Sequence, residues 1–439
     1  MSGQDSRLRL VLFGITVLLG GMLFPFRSSL SVLNFQLVLI PLSLLYLLTV
    51  LYYFYSKPLF GKLPDWLTKS DFSNSVLFWT LTTFSLAGIL MLAYENRIFG
   101  QFGYSIGYLN LGVLFFFILL SASVLRFLNR GKYLPYALIV SIIAIHISSI
   151  LNFPLHPERS DMLLLIQAAS QRLIAGVNPY VNYEIFNPVM LTYLPGLWLS
   201  YLPAAFLNFD IRVINMVLLA VAAVCFIRSA EDSQRTRYSI YATVFFLNPW
   251  LTFRHDIYLP VFIFQMMLVF NMYLKNRITA SMIAFAWVLA SYQFSWIIFP
   301  LYLFLLKKKY GMRTAVKAFL VAGTGFILLV LPFVIWSPSG FYEGVFGSWK
   351  TVFQVETFNF SYWITRVLPV QYLKLFQILC MLGFYLIAFP KLINNRRFFM
   401  LSTFITLLFM MTGQLIWHYF FLMPPVYMLY YIRMLSAEN

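Results

Sequence analysis

Side chains able to move a proton or hold a phosphate are scarce in this chain, and they fall in a few tight groups. The stretch from His156 to Pro195 carries His156, Glu158, Arg159, Asp161 and Arg172. Arg254, His255 and Asp256 are consecutive, and Tyr292 adjoins Gln293. Lys350, Glu356, Asn359 and Arg366 share one later segment, and Gln414 and His418 another. A carboxylate such as Asp161 or Asp256 can take a proton from a substrate hydroxyl. Arg254 offers a cation for a phosphate, while Asp256 can orient His255 or act as a second base. Each group also has a plain structural reading. Asp161 is a favoured helix cap, and 254–256 suits an interfacial turn with a local ion pair. Lys350 and Arg366 suit solvent or lipid headgroups. His418, flanked by aromatics, is either a satisfied buried histidine or a donor to a phosphate.

The elements that must position these groups are apolar. Hydropathy places spans at 8–26, 35–55, 75–95, 105–127 and 133–152, then at 211–229, 238–253, 257–274, 278–291, 293–306, 313–335, 370–390, 397–413 and 416–433. With Arg7 and Arg9 inside and the spans alternating, Lys57, Lys62, Lys69, Arg126, Arg130 and Lys132 also fall inside. The span ending near 152 then delivers His156–Asp161 to the outer face. Segment 187–208 is read as interfacial or re-entrant, because a crossing there would put Arg228, Arg235 and Arg237 outside, and because Pro188, Pro195 and Pro203 disfavour a regular helix. The pair 278–291 and 293–306 is short, as two half-length helices joined near Gln293. Ser160 or Asp161 caps a short outer helix over 162–175, Gly176 takes its left-handed end and Pro179 blocks continuation. All the candidate groups then share the outer face, although the topology was set by other residues.

Composition bounds the rest. The 439 residues are 61% hydrophobic and 10% charged, against about 25% charged in soluble domains. A bilayer core takes about 20 apolar residues per helix, so the expected fold is an all-α polytopic membrane protein. The net charge of +17 fits lysines and arginines on cytoplasmic loops, and no soluble basic domain exists to hold nucleic acid. Cys225 and Cys380 lie within apolar spans and suggest neither disulfide nor metal. The first span is read as retained, not as a cleaved signal peptide. Soluble-enzyme motifs are absent: no GxSxG, HExxH, P-loop or Rossmann glycine pattern occurs. No metal and no cofactor is expected. Asn359-Phe360-Ser361 also matches a glycosylation sequon.

Around Asp161 the chain resembles the GT-C superfamily of integral-membrane glycosyltransferases. It looks most like the family 87-like group, the polyprenyl-phosphate-mannose-dependent mannosyltransferases of bacteria and archaea. The matching residues are Asp161, Ala168-Ala169, Leu173, Gly176, Asn178-Pro179-Tyr180 and Tyr193-Leu194-Pro195. Looser matches are Asn248-Pro249, the short helix, polar turn and proline-bearing helix of AWVLASYQFSWIIFPLYLF, Leu331-Pro332-Phe333, and Asn359-Phe360-Ser361. The chain departs from the group at Arg254-His255-Asp256, where Gly-Gln is frequent, and at Tyr292-Gln293, where a lysine is common.

The resemblance covers 133–434. It implies a GT-C-like bundle of about 12–14 spans with outer-face interfacial helices. Residues 133–439 would be the catalytic module, with outer loops 153–210 and 336–369, and 1–132 would be additional helices. It further implies transfer of a hexose, mannose by analogy, from a polyprenyl-phosphate donor to a hydroxyl of a lipid or glycan acceptor. Inversion would occur on the outer face of a bacterial or archaeal cytoplasmic membrane, in cell-envelope synthesis. Asp161 would be the base and Asp256 a second catalytic carboxylate. Arg254, His255, His418 and Arg366 would bind the donor phosphate, and Tyr180, Tyr193, Gln293 and Asn359 would line the substrate site. Two other classes stay open: a transporter or flippase of lipid-linked saccharide, and an envelope-glycan polymerase or ligase. The first favours mid-span ionisable residues and internal repeats, the second a large outer loop rich in Arg and His.

Overall fold

The computed structural model describes residues 3–22, 32–55, 133–152, 155–156, 161–185, 188–231, 234–248, 251, 258–347, 361–413 and 422–437. The expected spans at 75–95 and 105–127 lie outside these residues, as do Arg254, His255, Asp256, Asn359 and His418.

The described chain is helical apart from one small hairpin, as its apolar runs dictate. Helices α1 (Gly3–Met22) and α2 (Val32–Tyr55) pack on each other. Helix α3 (Leu134–Asn152) leads to a segment in which α4 (Met162–Ile174) precedes an antiparallel pair, β1 (Asn182–Glu184) and β2 (Pro188–Met190). Two short helices follow, α5 (Pro195–Leu199) and α6 (Leu202–Leu207). Then come α7 (Arg212–Arg228), α8 (Arg235–Phe246), α9 (Leu259–Leu274), α10 (Ile278–Leu289) and α11 (Phe299–Tyr310). The last six are α12 (Met312–Trp336), α13 (Pro338–Tyr342), α14 (Ser361–Val367), α15 (Leu373–Lys391), α16 (Asn395–Thr412) and α17 (Met423–Ala437).

Among the described residues, three helices are long and apolar enough to cross a membrane: α3, α12 and α15. This associates the chain with a membrane. The 25 residues of α12 rise about 37 Å, more than the ~30 Å of a hydrocarbon core. Its outer surface is apolar and open, with Leu328 69% and Ile335 70% exposed, and α15 likewise shows Leu386 at 77%. The pair 278–291 and 293–306 is half-length, as expected, and the described helix within the expected span 238–253 is short as well. Helices α8, α10 and α11 have 12 residues each, about 18 Å. A 3-10 turn over Gln293–Ile297 separates α10 from α11. Segment 187–208 forms no crossing helix either; the hairpin strand β2, α5 and α6 occupy it.

The bundle has two chemically unlike ends. At one, α9 and α10 meet over Lys275–Arg277, and α11 and α12 meet over Lys307–Arg313. The Tyr310 hydroxyl joins these turns by donating to Asn276 Oδ1 at 2.8 Å. Tyr273 donates to Asn395 Oδ1 at 2.5 Å, bringing in the turn between α15 and α16. At the other end, Gly196 N donates to Ala290 O at 2.7 Å, and Phe333 near the end of α12 packs on Trp198. This end carries Asp161, Glu184, Asp210 and Glu343 together with Arg172, Arg212, Arg366 and Lys374, while Arg228, Glu231, Lys275, Lys307–Lys309 and Lys391 belong to the first. The first end holds the denser run of cations, as the positive-inside rule favours on one side of a bilayer. Helices α1 and α2 dock through Arg9, whose guanidinium lies over the rings of Tyr53 and Tyr431 at 5.7 and 5.6 Å.

Candidate functional site

Asp161 stands at the position that precedes α4, where an aspartate would ordinarily accept a backbone N–H. Its side chain makes no such bond, and its φ/ψ of −79°/−14° is already helical. Only its backbone carbonyl joins the helix, accepting from Leu165 N at 2.8 Å. The capping reading of Asp161 therefore does not hold in this geometry. Burial pushes its carboxyl above the ordinary value of 3.8, against a smaller opposing effect of its own amide.

Helix α4 is positioned by an apolar face of Leu163, Leu165, Ile166 and Ala169. It ends as its sequence dictates. Gly176 takes φ +70°, Gly176 N donates to Leu173 O and Val177 N to Arg172 O, each at 2.9 Å. These are the two bonds of a Schellman end. The Arg172 Nε donates to Asn178 O, and Asn178 Oδ1 accepts from Tyr180 N, both at 2.9 Å. This turns the chain inward.

Tyr180 is 1% exposed. Its hydroxyl donates to Tyr193 O at 2.8 Å and accepts from Trp198 Nε1 at 3.3 Å. Its ring meets Phe341 edge-on, with centroids 4.9 Å apart. That is an anchor joining segment 178–198 to segment 338–347. A Cβ on Gly340 would lie 2.5 Å from Tyr180 O, and one on Gly344 2.4 Å from Leu191 O. Only glycine lets the 338–347 segment seat this closely. Both groups of the Tyr180 side chain that a substrate would use are thus engaged within the protein.

Tyr193 lies within electrostatic range of the carboxylate. Its phenol is raised well above its usual range, first by burial, then by Tyr258, then by the negative charge of Asp161. The Tyr193 and Tyr258 rings lie 5.0 Å apart and those of Tyr258 and Tyr292 5.8 Å apart. The Tyr292 hydroxyl donates to Tyr258 O at 2.9 Å, and Tyr201 donates to Asn215 Oδ1 at 2.6 Å. Tyr201 lies within electrostatic range of both Tyr193 and Tyr292. Asp161 therefore lies within electrostatic range of Tyr193, one of four clustered tyrosines drawn from segment 187–208, the start of α9 and the turn after α10. Gln293 follows Tyr292, half-buried.

Of the expected residues, Asp161 and Tyr193 come within electrostatic range, Tyr180 bonds the Tyr193 carbonyl from behind, and Gln293 follows Tyr292 of the same cluster. Arg366 is exposed on α14, which packs against α15. Sequence reasoning missed Tyr201 and Tyr258, because no spacing distinguishes them among 28 tyrosines. It also missed the pair Asp210–Arg212. Arg212, 3% exposed, bonds both Asp210 oxygens and Ile150 O at 3.1 Å. The pair ties the end of α3 to the start of α7, and so fixes where the chain sets out toward Asp161. Among the described residues no group of three or more His, Cys, Asp and Glu is placed to hold a metal.

No protein-family model matches the chain, and neither a curated protein nor a solved structure is significantly similar to it.

Proposed function

We propose that the chain is a polytopic membrane glycosyltransferase that moves a hexose from a polyprenyl-phosphate donor to an acceptor hydroxyl on the outer face. The observation that carries this reading is Asp161: a carboxylate within electrostatic range of Tyr193 in a cluster of four tyrosines, uncommitted as a cap and made more basic by burial. As general base, Asp161 takes the acceptor proton while the acceptor oxygen bonds to the anomeric carbon. The bond from that carbon to the phosphate oxygen breaks with inversion, and polyprenyl phosphate leaves. Charge builds on the phosphate, and cations from Arg254, His255, His418 and Arg366 stabilise it. Asp256 serves as the second carboxylate. Tyr193 and Gln293 contact substrate, with Asn359 from the long outer loop. Half-buried Tyr193 suits a sugar, which offers C–H faces and O–H edges together, while buried Tyr201, Tyr258 and Tyr292 hold that tyrosine in place.

The test is transfer by purified full-length protein, given a panel of polyprenyl-phosphate hexoses and hydroxyl acceptors. The native chain consumes one donor, and Asp161→Asn loses about 10²–10⁴-fold in rate while remaining folded. Equal rates in the two proteins would remove Asp161 from the mechanism and move the search to Asp256. Movement of the lipid-linked sugar across liposomes, with no transfer, would favour the transporter reading.

A further inference from the structure

The end of the bundle opposite Asp161 carries an organised cluster of cations. Three turns compose it: 275–277, 307–313 and 391–397. Their residues are Lys275, Asn276, Arg277, then Lys307, Lys308, Lys309, Tyr310, Gly311, Met312, Arg313, then Lys391, Leu392, Ile393, Asn394, Asn395, Arg396, Arg397. These turns hold no acidic residue.

Loose basic loops would satisfy topology alone. These loops are instead tied to one another. Tyr310 donates to Asn276 Oδ1 at 2.8 Å and Tyr273 to Asn395 Oδ1 at 2.5 Å. The lysines are held on aromatic rings: Lys309 Nζ lies 5.2 Å from the Tyr273 ring and 5.0 Å from that of Tyr310, and Lys308 Nζ 5.5 Å from that of Phe304. Such contacts fix an ammonium without neutralising it. Like charges crowded this way repel, so the arrangement gains most from an anion that bridges them.

The surroundings say what kind of anion. Spanning helix α12 starts inside the cluster at Met312, and spanning helix α15 ends in it at Lys391. Met312 is 61% exposed and Ile393 69%, and Val316 and Leu320 continue the open apolar face along α12. Cations thus stand directly at the edge of surface suited to acyl chains. We propose that this cluster is a binding site for anionic phospholipid, with the headgroup phosphate on Lys308, Lys309 and Arg313 and the acyl chains along the exposed face of α12.

The test uses the full chain in nanodiscs of phosphatidylcholine with one-third phosphatidylglycerol, followed by native mass spectrometry of the released protein. Phosphatidylglycerol is expected to be retained over phosphatidylcholine by about fivefold for each cation engaged. Lys308→Gln with Arg313→Gln lowers that ratio, while Lys374→Gln, at the opposite end of α15, leaves it unchanged. Retention without headgroup preference would overturn the proposal. So would loss of the bound lipid to millimolar inorganic phosphate, which would mark a site for free phosphate. Should the double variant fail to fold, thermal stability of the native chain across a phosphatidylglycerol series decides. A rise in Tm with anionic lipid content supports the site, and a flat series rejects it.

Discussion

Burial raises the Asp161 carboxyl, and the consequences for activity and for stability have opposite signs. A general base must be ionised, so the rate is expected to climb with pH along a limb centred above the ordinary 3.8. Stability runs the other way. A group that holds its proton more tightly when folded contributes most below its unfolded pKa, and that contribution is lost as pH rises through the folded value. At neutral pH the ionised carboxylate therefore weakens the fold it serves. Asp161→Asn should melt no lower than the native chain at pH 7, and its advantage should shrink at pH 4; paired melting curves decide. A melting point lower at pH 7 than the native one would mean that the carboxylate holds the fold together. Tyr180 makes the contrasting case. Removing its hydroxyl leaves Tyr193 O and Trp198 Nε1 each short of a partner. Tyr180→Phe is expected to cost about 1–3 kcal/mol in stability, read as a lower Tm. Donor affinity should hold in whatever fraction stays folded.

Between elements, the site depends on approaches that only glycine permits. Gly196 opens onto the end of α10 so closely that a Cβ would lie 2.8 Å from both Ala290 C and O. Its N–H meets Ala290 O and its carbonyl accepts from Trp287 Nε1 at 2.9 Å. Gly196→Ala must push α5 off α10, and with it the Tyr193–Pro195 stretch, whose phenol lies within electrostatic range of Asp161. A loss of about 1–3 kcal/mol is expected from this overpacking, together with a fall in transfer rate beyond what the folded fraction explains. Chemical denaturation of the variant beside its activity separates the two effects. Such features explain what the sequence could and could not show. The Schellman end of α4 was legible because Gly176 and Pro179 act locally. That segment 187–208 forms no crossing helix was legible from its prolines and from arginines farther on. The tyrosine nest was not, because Tyr193, Tyr201, Tyr258 and Tyr292 converge only through packing. The pair 278–291 and 293–306 was legible from hydropathy as two half-length helices, and α10 and α11 have that length.

Across the whole molecule, the separation of a cationic end from an end bearing Asp161 makes orientation testable without any substrate. Helices α9 to α12 carry the argument. Starting at Tyr258, the chain reaches Lys275, returns to Ala290, runs to Lys307–Lys309, and returns along α12 to Phe333 beside Trp198. Each turn on the basic side is joined to its neighbour by a tyrosine, and each turn on the other side touches the outer loops. If α12 spans, the two sets of turns must open to different compartments. Cys225 and Cys380 are both free thiols and can first be replaced by serine. Single cysteines at Val177, exposed after α4, and at Lys308, exposed at the end of α11, then report the two sides. A membrane-impermeant maleimide added to intact cells should label Val177→Cys alone, and inverted vesicles should label Lys308→Cys alone. Labelling of both from one side would mean that α12 lies along the bilayer, and the reading of an outward-facing Asp161 would fail with it. Reversed labelling would keep the bundle but turn the site inward, where the donor would have to be supplied from the cytoplasmic leaflet.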